Sequence, residues 1–340
     1  MEFLTYNPDH YELLLQKRED PRFPSALGHR AFVNWYYASG HCRLHLFVDH
    51  GELAGIIGLD IMDFVYDGQP MRMAAANNHV AFLPGIGGLQ FLYWMKAAPH
   101  ALVFGGSEDT HEVMRKNGWR YFPPVPLLLA NRRFGNPAGE PAWRSLAKRA
   151  LGGLLPSVRL AARREAILRR QACPDLTARE ESGFREGMLP ATSPFRFRFA
   201  PTLAYLRWRY ATDLPFVRYR LFGIRDGNVD IGYVVLKETP ERIWVSQCDG
   251  TDASLLACGV LLALAEVTRD DPRPRELCLY TAHEAMRALF LRFGFIDWRL
   301  TRPLVIGGLR QPAAMEDDTR QWLVNFDWND NGLRRPFLDE

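Results

Sequence analysis

The 340 residues contain no Cys-x-x-Cys pair, no long apolar run and no marked excess of either charge sign. Each absence argues against a class of protein. The cysteines, Cys42, Cys173, Cys248, Cys258 and Cys278, are odd in number and widely spaced, which speaks against a disulfide framework or structural zinc and for a reducing compartment. The longest nearly uncharged apolar stretch, Leu255 to Ala265, falls well short of the roughly 20 residues that span a bilayer and reads as a buried helix. The N-terminus has no basic segment ahead of an apolar one, so no secretory signal is expected and the chain is assigned to the cytoplasm. A net charge of +3 does not advertise a nucleic-acid binder, and no DNA partner is expected.

Hydrophobic residues at 47% and charged residues at 24% are globular values. At a prior of about 150 residues per domain, the length suggests two domains. Internal self-similarity supports that division. Gly51 in His-Gly-Glu and Gly227 in Asp-Gly-Asn each precede an apolar run, Leu53 to Ile61 and Val229 to Leu236, as hairpin turns entering strands. Gly118-Trp119 and Gly294-Phe295 follow helix-like stretches at the same 67-residue distance from those turns, where glycine suits a helix C′ position. Trp35-Tyr36-Tyr37 and Trp208-Arg209-Tyr210 lie upstream of the turns, and His-Glu-x-Met-Arg occurs at 111–115 and 283–287. The expected organisation is one domain at 1–136, a linker at 137–175 and a second domain at 176–340. Each domain should read helical start, antiparallel strands, helix, strand, helix, strand.

The segment 141–172 carries Arg144, Lys148, Arg149, Arg159, Arg163, Arg164, Arg169 and Arg170 against Glu165 alone, a charge of +7. It reads as two helices, the first broken by Gly152-Gly153 and Pro156. Its basic side chains either face water and an acidic domain surface, or make peripheral contact with anionic lipid or phosphate. The C-terminal Asn329-Asp330-Asn331-Gly332 has surface-turn chemistry.

One glycine cluster has a chemical context. Leu83-Pro84-Gly85-Ile86-Gly87-Gly88-Leu89 follows the strand-like Met73 to Phe82 and opens the helix-like Gln90 to Lys96. Strand, glycine turn and helix present free backbone amides to a phosphate, aided by the helix dipole. The cluster has neither the Walker lysine nor Gly-x-Gly-x-x-Gly spacing. A tight packing turn is the competing reading.

At these residues the sequence resembles the GNAT superfamily of acyl-CoA-dependent N-acetyltransferases, in tandem. The resemblance implies an α/β (α+β) fold of two GNAT-like domains, each a mixed, mainly antiparallel sheet flanked by helices. In the family, a loop of the kind Gln/Arg-x-x-Gly-x-Gly/Ala holds the acetyl-CoA pyrophosphate. Here the matching positions are Pro84, Gly85, Ile86, Gly87 and Gly88, without the usual basic residue, and the preceding strand would set Val80 and Phe82 beside the thioester. Met114 to Trp119 and Phe290 to Phe295 look like the family's helix before its Gly-Phe strand. Many members use a tyrosine four residues before that glycine as acid toward the CoA thiolate. Met114 and Phe290 stand there instead. The second loop, Cys248-Asp249-Gly250-Thr251-Asp252, carries carboxylates that suit a helix cap and repel pyrophosphate. Acyl-CoA is therefore expected in the first domain only, with the second shaping the acceptor site or stabilising the pair.

Transfer to an amine needs a base. His79, which titrates near neutrality, is the first choice, with Glu108, Asp109 and Tyr93 as alternatives. Structural roles compete for each: a core histidine, helix-capping acids, a core aromatic. Under the resemblance, Trp35, Tyr37, Asn78, Trp208 and Tyr210 would meet the acceptor. The Leu206 to Tyr210 segment resembles tandem members associated with bacterial surface polysaccharide synthesis, which implies a small-molecule amine, an amino sugar or nucleotide sugar. Two other readings stand beside this one. Fem-type transferases also pair two GNAT-like domains and would bring tRNA to the basic segment, whereas a degenerate pair would act as a scaffold. Metal is not expected: His41, His45, His50 and Cys42 lie on a strand-like run without helical ligand spacing, and His-Glu-x-Met-Arg lacks a second histidine. No Gly-x-Ser-x-Gly elbow occurs either.

Overall fold

The computed structural model describes residues 1–131, 158–170, 175–271, 275–308 and 315–328. In the first half the order is β1 (Glu2–Thr5), α1 (Tyr11–Leu15), α2 (Arg30–Tyr37), β2 (Cys42–Asp49), β3 (Glu52–Tyr66), β4 (Gln69–Ala81), α3 (Ile86–Ala97), β5 (His100–Phe104), α4 (Glu108–Lys116) and β6 (Arg120–Ala130). The second half repeats it after α5 (Arg164–Arg170). There β7 (Leu176–Glu181), β8 (Phe197–Phe199), α6 (Leu203–Arg209), β9 (Arg218–Asp226), β10 (Val229–Glu238) and β11 (Arg242–Gly250) lead into α7 (Ala253–Val267), β12 (Glu276–Tyr280), α8 (Glu284–Arg292) and β13 (Ile296–Gly307). This is the mixed, mainly antiparallel α/β architecture expected from the sequence. Each half opens with a short edge strand, not with the helix expected: β1 pairs with β2 and β7 with β9. Phe3 explains the first case, because its ring packs edge-on against Phe47 at 5.1 Å and ties the terminus to the sheet.

Local chemistry fixes the hairpins. His50-Gly51 and Asp67-Gly68 all have positive φ, the type I′ geometry that matches strand twist. Gly118 and Gly294, at φ +68° and +95°, end α4 and α8 as left-handed caps. On α4, Ser107 caps the first turn by accepting from the Thr110 amide at 3.3 Å, and His111 and Met114 face inward.

The strands form one continuous sheet in the order β1-β2-β3-β4-β5-β13-β6-β12-β11-β10-β9-β7, with β8 pairing to β3. The halves exchange their last strands. The first half's β6 pairs with β12, while the second half's β13 pairs with β5, and β6 and β13 meet at the centre. Helices α3 and α4 cover one face of the first half over Phe47, Ile57, Trp94 and Trp119. Helices α1, α2 and α6 cover the opposite face. There Trp35 and Trp208 stack at 5.4 Å, and the Trp208 indole donates to the Trp35 carbonyl. Among the described residues no helix is long and apolar enough to cross a membrane. Of the basic segment only 158–170 is described, where a 3-10 turn leads into α5; Arg144, Lys148, Arg149, Gly152, Gly153 and Pro156, like the 329–332 turn, lie outside the described residues.

Candidate functional site

The site begins with a failure of pairing. Parallel strands β4 and β5 are in register only from Met73 to Ala75 against His100 to Leu102, and beyond Ala75 they part. At the same place β4 bulges. Ile56 faces Val80 and Gly58 faces Asn77, so Asn78 and His79 together oppose Ile57. A bulge re-aims side chains, and here Asn78 takes φ +46°. The result is a cleft of about 480 Å³ lined by β4 residues 76–80, by Trp94 of α3, by Val103, Gly106, Ser107 and Thr110 around the start of α4, and by Arg22, Ser25 and Phe32 ahead of and on α2. All of the lining residues belong to the first half.

Two side-chain devices hold the bulge. The buried Gln90 amide donates to the carbonyls of Ile56 at 3.0 Å and Val80 at 2.9 Å, bridging the slipped register. Across the sheet, the Tyr37 hydroxyl donates to Asn77 Oδ1 and accepts from Asn78 Nδ2, both at 2.6 Å. His79 lines the cleft with its ring edge-on to Trp94. Loss of water in the cleft lowers its pKa below 6.5, an effect the Gln90 side chain partly opposes. A neutral imidazole at pH 7 is a competent proton acceptor.

Beyond the bulge, Phe82 is buried and the chain turns at Leu83 to Gly85. Gly85 is the α3 N-cap at φ +81°, a conformation that favours glycine, and no side chain caps the helix. The Ile86 amide reaches the Leu83 carbonyl at 3.4 Å, whereas Gly87 and Gly88 lie in the first turn, whose amides have no intrahelical acceptor. A cationic side chain absent from the local sequence arrives from elsewhere. Arg22 donates to the carbonyls of Ala81 at 2.9 Å and Phe82 at 3.3 Å while paired with Asp20.

Other sequence-selected residues lie apart from this wall. Glu108 is exposed at the start of α4 and pairs with Arg115; its neighbour Asp109 is in the same first turn. Tyr93 is on the outer side of α3, against Phe3 and His45. Trp35 and Trp208 spend their faces on each other, and Tyr210 is buried edge-on to Tyr219. Among the described residues no three His, Cys, Asp or Glu side chains group as a metal site.

The second half repeats the architecture and fills the opening. Strands β11 and β12 pair only at Arg242 to Trp244, and Ser246 is the extra residue opposite β10. Segment 322–328 occupies the gap: the Asp327 amide donates to the Ser246 carbonyl, and Asn325 bonds both the amide and the carbonyl of Cys248. Asp252 caps α7 by accepting from Ser254 and Leu255 amides at 2.8 Å, so this helix terminus is taken.

No family model and no curated protein matches the chain. Solved structures do. A probable N-acyltransferase from Enterococcus faecalis V583 is 8% identical at TM-score 0.50, covering 89% of this chain and 71% of that one. A GCN5-related N-acetyltransferase from Anabaena variabilis is 10% identical at TM-score 0.50, covering 90% and 72%. Saccharomyces cerevisiae N-myristoyltransferase with bound myristoyl-CoA is 11% identical at TM-score 0.50, covering 94% and 83%. At such identities the likeness is one of fold: the chain has the two-unit GNAT-like architecture.

Proposed function

We propose that the first half is an acyl-CoA-dependent N-acyltransferase site that moves an acetyl group from acetyl-CoA to an amine. The observation that carries this reading is the coincidence, on one strand, of the β4 bulge, the parting of β4 from β5 and the uncapped glycine turn of α3. A parted parallel pair opens the β4 edge to an extended amide-bearing arm, which along Val80 to Phe82 would share or displace the carbonyl bonds that Gln90 and Arg22 now make. The amides of Gly87 and Gly88, with the positive end of α3, suit the pyrophosphate at its far end. His79 is then placed to take the proton the amine loses as it attacks the thioester carbonyl, and the cleft orients the two reactants. The filled second opening and the capped α7 support a single acyl-CoA site per chain. An amino-sugar or nucleotide-sugar acceptor rests on the resemblance of Leu206 to Tyr210 alone.

Isothermal calorimetry with acetyl-CoA and CoA tests the reading, repeated on Gly87→Asp. A Cβ at Gly87 meets nothing closer than Ala81 Cβ at 3.8 Å, so the variant folds. Its carboxylate repels the pyrophosphate, and binding at a single site in the wild type is lost. Normal CoA binding by the folded variant would sink the phosphate assignment.

A further inference from the structure

Among the described residues that line the cleft, Arg22 carries the one permanent charge. Its side chain is 54% exposed, so solvent and ligand both reach it. Nε and Nη2 hold Asp20 at 2.9 and 2.7 Å, Nη1 donates to the Ala81 carbonyl at 2.9 Å, and Nη2 also donates to that of Phe82 at 3.3 Å. Most of the guanidinium N–H groups are thereby occupied, in part by neutral backbone. The chain around Arg22 is held independently: Phe23 is buried, and its amide donates to the Asp20 carbonyl at 2.8 Å. The guanidinium can therefore leave β4 by rotation of its own side chain, with the loop in place.

The carbonyl it covers is the one a ligand would meet. Phe82 gives its amide to Ala54 of β3 at 2.9 Å, so the alternation of an antiparallel strand turns the Ala81 carbonyl to the opposite edge, where β5 has parted. The same residue meets the first turn of α3: a methyl carbon built on Gly87 would stand 3.8 Å from Ala81 Cβ. Arg22 and that turn thus adjoin one residue, and the run Leu83 to Leu89 has no cation of its own.

We propose that Arg22 is a latch that exchanges two backbone carbonyls for a phosphate, and so selects donors that carry one. This rests on the acyl-CoA reading of the cleft. In the free protein the guanidinium satisfies the carbonyls of Ala81 and Phe82. The amide arm of the donor takes its place along β4, and the displaced guanidinium turns to the pyrophosphate at the α3 terminus. Its planar fork matches phosphate oxygens two at a time, and such charge-assisted bonds are stronger than those to neutral carbonyls. No covalent bond changes and no proton moves. A thioester without phosphate must open the same latch and leaves the guanidinium without a new partner. Asp20 sets the balance, because its carboxylate pairs with Arg22 in the free state and competes with the phosphate.

The test compares CoA with pantetheine, the same arm without phosphate, by calorimetry in the wild type, Arg22→Ala, Arg22→Lys and Asp20→Asn. Arg22→Ala should bind CoA about tenfold more weakly, the loss of a charge-assisted contact, and pantetheine about threefold more tightly, because the arm no longer displaces a guanidinium. Opposite signs for the two ligands distinguish a latch from a prop. Arg22→Lys keeps the charge and should recover most of the CoA affinity. Asp20→Asn keeps an acceptor for the Arg22 amide, now bonded to Oδ1 at 2.9 Å, and should tighten CoA by removing the competing charge. A merely structural Arg22 would weaken both ligands together, which overturns the proposal, as does pantetheine that gains nothing from Arg22→Ala. A wild type that binds neither ligand overturns the acyl-CoA reading itself.

Discussion

The Asn325 side chain bonds both faces of one residue's backbone: Cys248 donates its amide to Oδ1 at 3.1 Å and accepts from Nδ2 at 3.1 Å. It does so where β11 leaves β12, the place in the second half that corresponds to the open cleft of the first. One sequence segment thereby makes two similar units unequal, with one opening filled from within and the other left as a cleft.

Asn325→Ala tests that asymmetry. Alanine leaves the Cys248 amide and carbonyl buried without partners, so stability should fall by about 1–3 kcal/mol per orphaned group at most. Urea denaturation would show it as a lower midpoint at unchanged slope. Acetyl-CoA stoichiometry should not change, because α7 remains capped by Asp252. Two sites in calorimetry would show instead that Asn325 is what keeps the second opening from binding.

The site was partly legible in the sequence. The glycine turn could be read because Gly85 serves a local backbone need, and the hairpins because I′ turns demand Gly, Asn or Asp at fixed places. The duplication was visible for the same reason, since caps and turns recur at equal spacing. The strand exchange was not visible, because β6 and β13 have the same local pattern whichever half they join. Arg22 escaped notice since it reaches the loop from about sixty residues away. His111 was singled out only as part of His-Glu-x-Met-Arg, and the two copies of that motif do different work. His283 caps α8 with its ring, whereas His111 sits inside α4 beneath Gly106. Trp35 and Trp208, which the resemblance would bring to the acceptor, pack on each other within an aromatic cluster that includes Tyr36, His41 and Phe216.

His79 sets an expectation for pH. Its pKa is lowered by desolvation at the cleft wall, so the ring stays neutral through pH 7 and gains a proton only below 6.5. As the base, it should give a transfer rate that is level above pH 6.5 and falls with acidification beneath it. His79→Gln should cost about 10²-fold in kcat, the usual worth of a positioned base, with acetyl-CoA affinity retained. A variant that keeps the wild-type rate and the acid limb would remove His79 from the chemistry.

Asp60 makes the opposite demand on the fold. It is fully buried on β3, where Tyr205 donates to it at 2.9 Å, and desolvation raises its pKa from 3.8 to about 6 despite the nearby Arg209. The folded chain therefore holds the Asp60 proton more tightly than the unfolded chain, and between pH 4 and 6 folding is favoured by protonation. Stability from this group is full below 3.8 and is lost as pH rises through 6, the reverse of a salt-bridged carboxylate. A rise from 3.8 to about 6 corresponds to roughly 3 kcal/mol. Asp60→Asn keeps an acceptor for Tyr205 and cannot ionise, so its unfolding free energy should lack that component of the fall across pH 4 to 6. Denaturation curves for both proteins at matched pH measure the difference in slope, and parallel curves would mean that Asp60 ionises alike in the folded and unfolded chain.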